Sequence, residues 1–279
     1  MDEQLRLRVQ ERLGLDVDSI VRIDHGWDSV AYDINDSWIV RVPRRAEVRA
    51  ALRQEAELLP RLAPELPAPV PVVSVFEGDQ TFFAVHRKLP GRPLRSAELV
   101  VARDLGRFLG VLHRSATAKE VLPETTSRDW LDSQAAFADR CKAVLALMDR
   151  DERLRAQALF DRHLSRPPHF ELVPVQGDLG PDHILWSDEH LTGVIDWSDA
   201  RIDDPALDFA WLLYGCTKDF AETVLETYSA EGGDVDPTFR ERALYFHRLG
   251  PWHQVVFGLE RGRPELVEPG IAGIRERLQ

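Results

Sequence analysis

The sequence predicts an α+β fold of two lobes, a small β-rich lobe followed by a larger, mainly helical one. Three observations support this division of the 279 residues. Alternating apolar and polar residues around turn pairs predominate in roughly the first 90 residues. The stretch "LPGRPLRSAEL" then has the Pro and Gly content of a linker. After it, apolar residues recur mostly at helical spacing, interrupted by a short strand–loop–strand insert.

In the first lobe, one helix precedes the strands and a second helix follows the first hairpin. Leu5, Val9 and Leu13 recur every four residues and predict a helix over residues 4–14. The strands "SVAYDI" and "SWIVRVP" flank the turn pair "ND" and predict a hairpin. "AEVRAALRQEAELLPRL" carries apolar residues on neighbouring helical faces. Two further strands are predicted on either side of the turn "EGDQ".

In the second lobe, helices surround three short strands. Helices are predicted over about residues 97–115, 129–149 and 151–164. The apolar runs "ELVPVQ", "HILW" and "LTGVIDW" predict the strands. Helical spacing returns from about residue 205 and continues to the last residue.

The composition is that of an acidic, globular protein. The net charge of −12 argues against a nucleic-acid or anionic-membrane partner, because phosphate binding favours basic patches. An acidic cleft would concentrate a cationic small-molecule acceptor, although excess negative charge more commonly serves solubility. The longest apolar run, residues 209–216, is far too short to span a membrane.

The cysteines and the N-terminus predict a reduced, cytoplasmic setting. Cys141 and Cys216 are too few for a disulfide framework, and neither occurs in a metal-ligand spacing. The opening "MDEQLRLRVQERLGL" is charged and helix-patterned, unlike a signal peptide. We expect a monomer or weak dimer without a membrane partner.

The stretch "VQGDLGPDHILWSDEHLTGVIDW" combines two carboxylates and an imidazole between short strands. Asp178 lies in a Gly-containing loop, His183 follows in the same loop, and Asp196 ends an apolar strand. A hairpin would return Asp196 to the mouth of the loop that carries Asp178, so the three side chains would face one cavity. Each residue alone has an ordinary explanation as a turn, a satisfied polar side chain or a helix cap. Together they match the parts that phosphoryl transfer requires.

On "GD", "HIL" and "VIDW", the chain resembles the aminoglycoside phosphotransferase family of antibiotic kinases, which includes the macrolide phosphotransferases. The resemblance extends to "GWDSVAYDINDSWIVRVPRRAEV", "LRQEAELLPRL" and "DARIDDPALDFAWL". It implies a protein-kinase-like fold, with a nucleotide-binding lobe over residues 1–90 and a catalytic and acceptor-binding lobe over residues 91–279. It also implies transfer of the γ-phosphate of ATP or GTP to a hydroxyl of an antibiotic, with an aminoglycoside as the first candidate.

The resemblance implies a role for each residue of the motif. Asp178 would be the catalytic carboxylate, and His183 and Asp196 would be the Mg²⁺ ligands. Arg41 would bind the nucleotide phosphates, and Glu55 would pair with its guanidinium group.

Further residues are assigned to the nucleotide and to the catalytic loop. Gly26 would let backbone N–H groups approach the phosphates, and Ser29 would add a hydroxyl donor. Backbone groups from Arg87 to Leu89 would bind the purine. Asp208 would brace the loop that carries the catalytic carboxylate.

Two residues depart from the family's pattern. Gln176 replaces the usual His before Gly–Asp, and Arg41 replaces the more common Lys, which changes a point charge into a planar fork. Both residues can still form the hydrogen bonds that these positions need.

Two alternative functions and the role of Trp252 and His253 stay open at this point. The chain could be a macrolide or other small-metabolite kinase on the same fold, or a non-catalytic nucleotide-binding protein. Trp252 and His253 could line the acceptor pocket, or they could be a core aromatic and a surface His.

Overall fold

The computed structural model describes residues 3–23, 26–78, 81–95, 99–165, 169–188 and 190–278. Its first lobe is an antiparallel five-stranded sheet with a helix against each face, and its second lobe is mainly helical. This architecture confirms the predicted α+β fold of two lobes. The boundary at residue 90 lies between the fifth strand and the short strand that follows it, and it stays a prediction.

The first lobe contains helices α1 and α2 and strands β1 to β5. Their bounds are Glu3–Leu13 (α1), Ile20–Ile23 (β1), Ser29–Ile34 (β2), Trp38–Pro43 (β3), Val48–Leu62 (α2), Ser74–Gly78 (β4) and Thr81–Arg87 (β5). The sheet order is β1-β2-β3-β5-β4. The β2–β3 hairpin turns at Asn35 and Asp36, whose φ angles of 55° and 51° are left-handed. Asn and Asp tolerate this conformation, and the turn predicted from "ND" is confirmed.

Alternation along β3 directs Arg41 toward α2. Val40 is fully buried in a small core with Val9 of α1 and Ile34 of β2. Because successive side chains of a strand point to opposite faces, Arg41 faces away from that core. There its guanidinium donates a hydrogen bond to Glu55 of α2. The period of the strand therefore decides which residue enters the space between the lobes.

The second lobe contains the remaining strands and helices in one continuous order. Their bounds are Arg92–Pro93 (β6), Leu99–Leu112 (α3), Ala116–Val121 (α4), Ser127–Arg140 (α5), Lys142–Leu145 (α6), Arg150–Leu164 (α7), Val173–Val175 (β7), Ile184–Ser187 (β8), His190–Val194 (β9), Arg201–Asp203 (β10), Ala210–Tyr214 (α8), Lys218–Ala230 (α9), Phe239–Arg261 (α10) and Pro264–Arg277 (α11). A single 3-10 turn, Pro205–Leu207, precedes α8.

Two small antiparallel sheets hold the loop between β7 and β8. One has the order β6-β8-β9, and the other pairs β10 with β7. The sequence did not predict β10, whose three residues pair with β7 so that Arg201 lies opposite Val175. The strands on both sides of the loop are thereby fixed in place.

One predicted helix has a different form in the structure. The helix predicted over residues 129–149 is two helices, α5 and α6, which meet at the fully buried Cys141. The main hydrophobic core runs from Leu52 of α2 through Leu105 of α3 to Trp252 of α10, so it joins the two lobes. In the ranges that the structure describes, no helix is both long enough and apolar enough to cross a membrane.

Helices α3 and α9 approach so closely that Gly106 has no room for a side chain. A Cβ at Gly106 would lie 2.6 Å from Cβ of Thr227 and 2.7 Å from the carbonyl oxygen of Val224. Although Ala has the higher helix propensity, we expect Gly106→Ala to lower the free energy of unfolding by about 1–3 kcal/mol, because the helices must separate. Urea unfolding measures this change.

Gly250→Ala in α10 is the matched control. The added Cβ would meet only the end of the flexible Arg277 side chain, at 3.0 Å. This variant should have unchanged stability or gain up to about 1 kcal/mol from helix propensity. Equal stability changes in the two variants would contradict close packing at Gly106.

Candidate active site

The loop between β7 and β8 contains a glycine, Gly177, that no other residue could replace unless the backbone around it moved. Gly177 has a φ angle of 89°, and an added Cβ would lie 2.4 Å from the carbonyl oxygen of Asp199. The next residue, Asp178, donates its backbone N–H to the side-chain oxygen of Gln176 at 2.8 Å. Its own carboxylate is 63% exposed and lies at the mouth of the cleft. The turn therefore presents Asp178 to a molecule that enters from solvent.

Gln176 joins this loop to the segment that ends at Asp196. Its side chain is fully buried. The amide nitrogen donates to the backbone carbonyls of Ile195 and Asp196, while the amide oxygen accepts from the N–H of Asp178. The substitution of Gln for the family's His thus leaves a residue that holds both loops by hydrogen bonds.

Beneath the loop, the buried carboxylate of Asp208 accepts hydrogen bonds from two consecutive backbone N–H groups. Gln176 and Gly177 both donate to it at 2.9 Å. The ring of His113 lies 3.1 Å from the same carboxylate, and its other nitrogen lies 2.9 Å from the hydroxyl of Tyr228. An imidazole with its proton on Nε2 satisfies both contacts. This geometry agrees with the bracing role expected of Asp208.

Arg41 and Glu55 form the predicted pair. The guanidinium Nη1 donates to a carboxylate oxygen of Glu55 at 2.7 Å, and both side chains are largely buried. The second nitrogen, Nη2, donates to Oγ of Ser198 at 2.7 Å and to Oδ1 of Asp196 at 3.3 Å. Ser198 also donates to the second Glu55 oxygen at 2.9 Å. One guanidinium group thus connects strand β3, helix α2 and the loop after β9.

Asp178, His183 and Asp196 converge at this point. Nδ1 of His183 lies 2.7 Å from the backbone oxygen of Asp178 and 3.6 Å from its carboxylate. Nε2 of the same ring lies 3.7 Å from Oδ2 of Asp196. Asp196 has a left-handed φ of 58°, a conformation that is uncommon outside glycine and concentrates at functional sites. These contacts bring the three side chains close together, and their catalytic and metal-binding roles stay predictions.

Neighbouring charges and burial alter the pKa values of these groups. Desolvation in the cleft raises the pKa of Asp178 to about 6, against the opposing effect of His183. Desolvation also favours the neutral form of Asp196, but Arg41 and His183 outweigh it, so the pKa of Asp196 is lowered. For His183, desolvation is again outweighed, here by Asp196 and Asp178, and its pKa is raised. Asp196 is accordingly the more strongly ionised carboxylate of the two.

His183 and Asp196 offer donor atoms of the kind that a divalent cation binds. With Nδ1–H of His183 directed at the Asp178 carbonyl, the lone pair on Nε2 faces Asp196. Within the described ranges, no cluster of three or more His, Cys, Asp or Glu residues could hold a metal ion. Mg²⁺ commonly takes one or two carboxylates and completes its shell with water and substrate phosphates. His183 and Asp196 as its ligands therefore stay a prediction that the geometry accommodates.

Two residues predicted to bind the nucleotide, Gly26 and Ser29, lie next to each other in the first lobe. Ser29 is buried, and its hydroxyl has no hydrogen-bond partner among the described residues. A buried hydroxyl of this kind is available to a phosphate oxygen. A Cβ at Gly26 would lie 2.8 Å from the carbonyl oxygen of Ser29, so the turn requires glycine.

The predicted purine-binding segment has its side chains engaged elsewhere. The guanidinium of Arg87 lies over the ring of Trp38 at 3.8 Å, and the side chain of Leu89 packs on Gly193 of β9. The carbonyl oxygen of Arg87 accepts from the His86 ring at 2.8 Å and retains a second lone pair. Since these side chains make other contacts, the backbone of Arg87 and Leu89 would bind a purine, as the sequence predicted. This binding role stays a prediction.

Several residues of the site were missed by sequence reasoning. Ser198 and Asp199 directly follow Asp196, and this run of polar residues was the signal that could have identified them. His113 directly follows α3 and Tyr228 lies on α9, 115 residues away, and no local pattern connects them. On the acceptor side, Trp252 is fully buried and belongs to the core. His253 is exposed and stacks on Phe137 with ring centroids 4.0 Å apart.

Comparisons with known proteins agree with the geometry. A family model described as "phosphotransferase enzyme family" (APH) matches residues 19–245. Viomycin phosphotransferase of Streptomyces vinaceus is 26% identical over 249 residues, which cover 84% of this chain and 82% of that protein.

Solved structures of the same kind match over almost the whole chain. The GDP and kanamycin complex of APH(2")-IIIa has a TM-score of 0.86 at 23% identity, covering 98% of this chain and 97% of that one. The apoenzyme of macrolide 2'-phosphotransferase MphH from Brachybacterium faecium has a TM-score of 0.77 at 25% identity, covering 98% of each chain. The protein-kinase-like fold expected from the sequence is confirmed.

The contacts of Asp208 predict a loss of stability when its charge is removed. Asp208→Asn places an amide N–H against backbone N–H groups that now donate to a carboxylate. We expect the free energy of unfolding to fall by about 1–3 kcal/mol. Amide hydrogen exchange should accelerate at Gln176 or Gly177, because the side-chain amide keeps one acceptor oxygen where the carboxylate offered two.

Asp132→Asn provides the control, since Asp132 is an exposed residue of α5 that pairs with Arg128 at the surface. Its effect should stay below about 0.5 kcal/mol. Unchanged exchange at Gln176 and Gly177 in Asp208→Asn would contradict the bracing role.

Proposed function

Because the chain belongs to the phosphotransferase enzyme family, we propose that it transfers the γ-phosphate of ATP or GTP to a hydroxyl of an antibiotic-type small molecule. One observation carries the proposal. The Asp178 carboxylate, the Arg41 guanidinium and the Asp196 carboxylate lie close together and are linked by contacts of His183 and Ser198. These groups supply what phosphoryl transfer needs from a protein, which is positioning and charge stabilisation.

In this proposal, Arg41 binds oxygens of the phosphate chain with its planar guanidinium. Glu55 holds the Nη1 end of that group, so its orientation is set before the nucleotide binds. The hydroxyl of Ser29 and the backbone around Gly26 approach the phosphates from the first lobe, and the backbone of Arg87 and Leu89 accepts the purine.

Asp178 acts on the acceptor. Its carboxylate accepts a hydrogen bond from the acceptor hydroxyl, directs the oxygen toward the γ-phosphorus and receives the proton as the bond forms. A pKa of about 6 leaves the carboxylate ionised at neutral pH and able to accept that proton. A Mg²⁺ ion held by Asp196 and His183 would supply charge neutralisation between the phosphate oxygens.

Asp199 lies within electrostatic reach of Asp196 and Asp28, and this group of carboxylates favours a cationic acceptor. Desolvation raises the pKa of Asp199, and Asp196 and Asp28 act through space in the same direction, against Arg201. A cationic group would relieve this crowding of negative charge. An aminoglycoside is therefore the first candidate, in line with the kanamycin complex named above, and the macrolide and viomycin phosphotransferases make those compounds the next candidates.

A non-catalytic function has little support. Gln176 and Arg41 are the residues that suggest it, but Gln176 makes hydrogen bonds that hold both loops of the site, and Arg41 pairs with Glu55.

The proposal is tested by assaying the purified chain with ATP and with GTP against aminoglycosides, macrolides and viomycin. Release of nucleoside diphosphate and an acceptor mass increased by one phosphoryl group would support it. Asp178→Ala should lower kcat by at least about 100-fold with little change in nucleotide affinity.

Asp182→Ala is the matched control, because Asp182 lies in the same loop, is exposed and pairs with Arg95. Its turnover should equal that of the unaltered chain. Undiminished turnover in Asp178→Ala would remove that residue from the mechanism.

The proposed cation site predicts a second, separate effect. Asp196→Asn keeps a residue type that tolerates the left-handed backbone but removes the negative charge. Nucleotide affinity in the presence of Mg²⁺ should fall at least about tenfold, while affinity without Mg²⁺ should change little. Calorimetry with and without the metal measures both, and equal losses in the two conditions would contradict a role in binding the cation.

A further inference from the structure

A cavity of 340 Å³ lies between the segment after Gly26 and the end of helix α10, and most of its lining residues are arginines. From the first lobe, Arg22, Arg44, Arg45 and Trp27 contribute to its wall. Arg44 and Arg45 donate hydrogen bonds to the backbone carbonyls of Gly26 and Trp27, each at 3.2 Å. The loop itself therefore holds these two guanidinium groups in place.

The second lobe closes the other side of the cavity. Phe257, Arg261 and Arg263 line it from α10 and the turn that follows. The rings of Trp27 and Phe257 stack with centroids 4.7 Å apart, and the guanidinium of Arg45 lies 5.7 Å from the centre of the Phe257 ring. These contacts join the lobes, so a ligand in the cavity would touch both.

The charge of this cavity is opposite to that of the protein. Five of its lining residues are arginines, although the net charge of the chain is −12. Arg45 is paired with Asp28, and Arg263 with Glu265 at 2.7 Å. For Arg261, the described part of the chain shows only a through-space effect that lowers the pKa of Glu260. Planar guanidinium groups bind phosphate and carboxylate by paired hydrogen bonds.

We propose that this cavity binds a small molecule that carries phosphate or carboxylate groups, at a site separate from the one where Arg41 contacts the nucleotide. Its volume is that of a small-molecule pocket rather than of a single ion. Arg41 is not part of its lining and is directed at Glu55 and Asp196 instead. Binding here does not depend on phosphoryl transfer.

The first experiment measures binding of inorganic pyrophosphate to the full chain by calorimetry, without divalent metal. Saturable binding with one site per chain is expected. Arg261→Gln, which changes an exposed residue of α10, should weaken it at least about tenfold by removing a charged donor. Arg128→Gln removes one exposed guanidinium of α5 and should leave the affinity within about twofold.

Three results would overturn the site. They are no saturable binding, unchanged affinity in Arg261→Gln, or equal losses in Arg261→Gln and Arg128→Gln. A second arm distinguishes the source of the anion by measuring ATP affinity with Mg²⁺ in Arg261→Gln. Unchanged ATP affinity supports a separate site, whereas a loss equal to that for pyrophosphate would show that the cavity takes the nucleotide's own phosphates and would overturn the separation. Because no turnover is measured, the outcome is independent of the proposed function.

Discussion

The buried side chain of Gln176 is the contact on which the geometry of the site depends. Its amide donates to the carbonyls of Ile195 and Asp196 and accepts from the N–H of Asp178. The two carboxylates of the site belong to different loops, and this amide fixes the separation between them. Asp208 holds the same loop from below through two backbone N–H groups. The backbone hydrogen bonds of the loop therefore fix the position of the exposed Asp178, although its own side chain has few contacts.

A second constraint links the lobes through charge. Arg41 is largely buried, and burial alone would lower its pKa, but Glu55 and Asp196 more than compensate, so the pKa of Arg41 is raised. The guanidinium thus stays ionised while it contacts residues from both lobes. Burial also raises the pKa of Glu55, although Arg41 opposes that effect. Removing either partner would leave a buried charge uncompensated, which is strongly destabilising.

Local patterns predicted the parts of the fold whose determinants are close in sequence. The "ND" turn follows from two residues that accept left-handed backbone, and the direction of Arg41 follows from the period of β3. The loop and hairpin between Asp178 and Asp196 span few residues, so their spacing sufficed to predict that both carboxylates lie near His183. The resemblance to a known family supplied the roles of these residues, which spacing alone left open.

Other features depend on contacts between distant residues, which no local pattern encodes. His113 lies 95 residues from Asp208, and nothing in the sequence around it distinguishes it from a core or surface histidine. Strand β10 is too short for alternation to be recognised, and it forms because β7 offers a partner. The arginine-lined cavity likewise joins residues near positions 22, 45 and 260, which are brought together only when the lobes pack.

We expect Asp178, His183 and Asp196 to surround one metal-loaded triphosphate between the lobes. A crystal structure with a non-hydrolysable ATP analogue and Mg²⁺ would show where the metal ion and the phosphates bind. In that structure, we expect Asp196 and His183 to bind the metal ion and Arg41 to contact the phosphates. Asp178 should face the γ-phosphate across the space left for an acceptor. A metal ion and phosphates bound away from these three side chains would contradict this expectation.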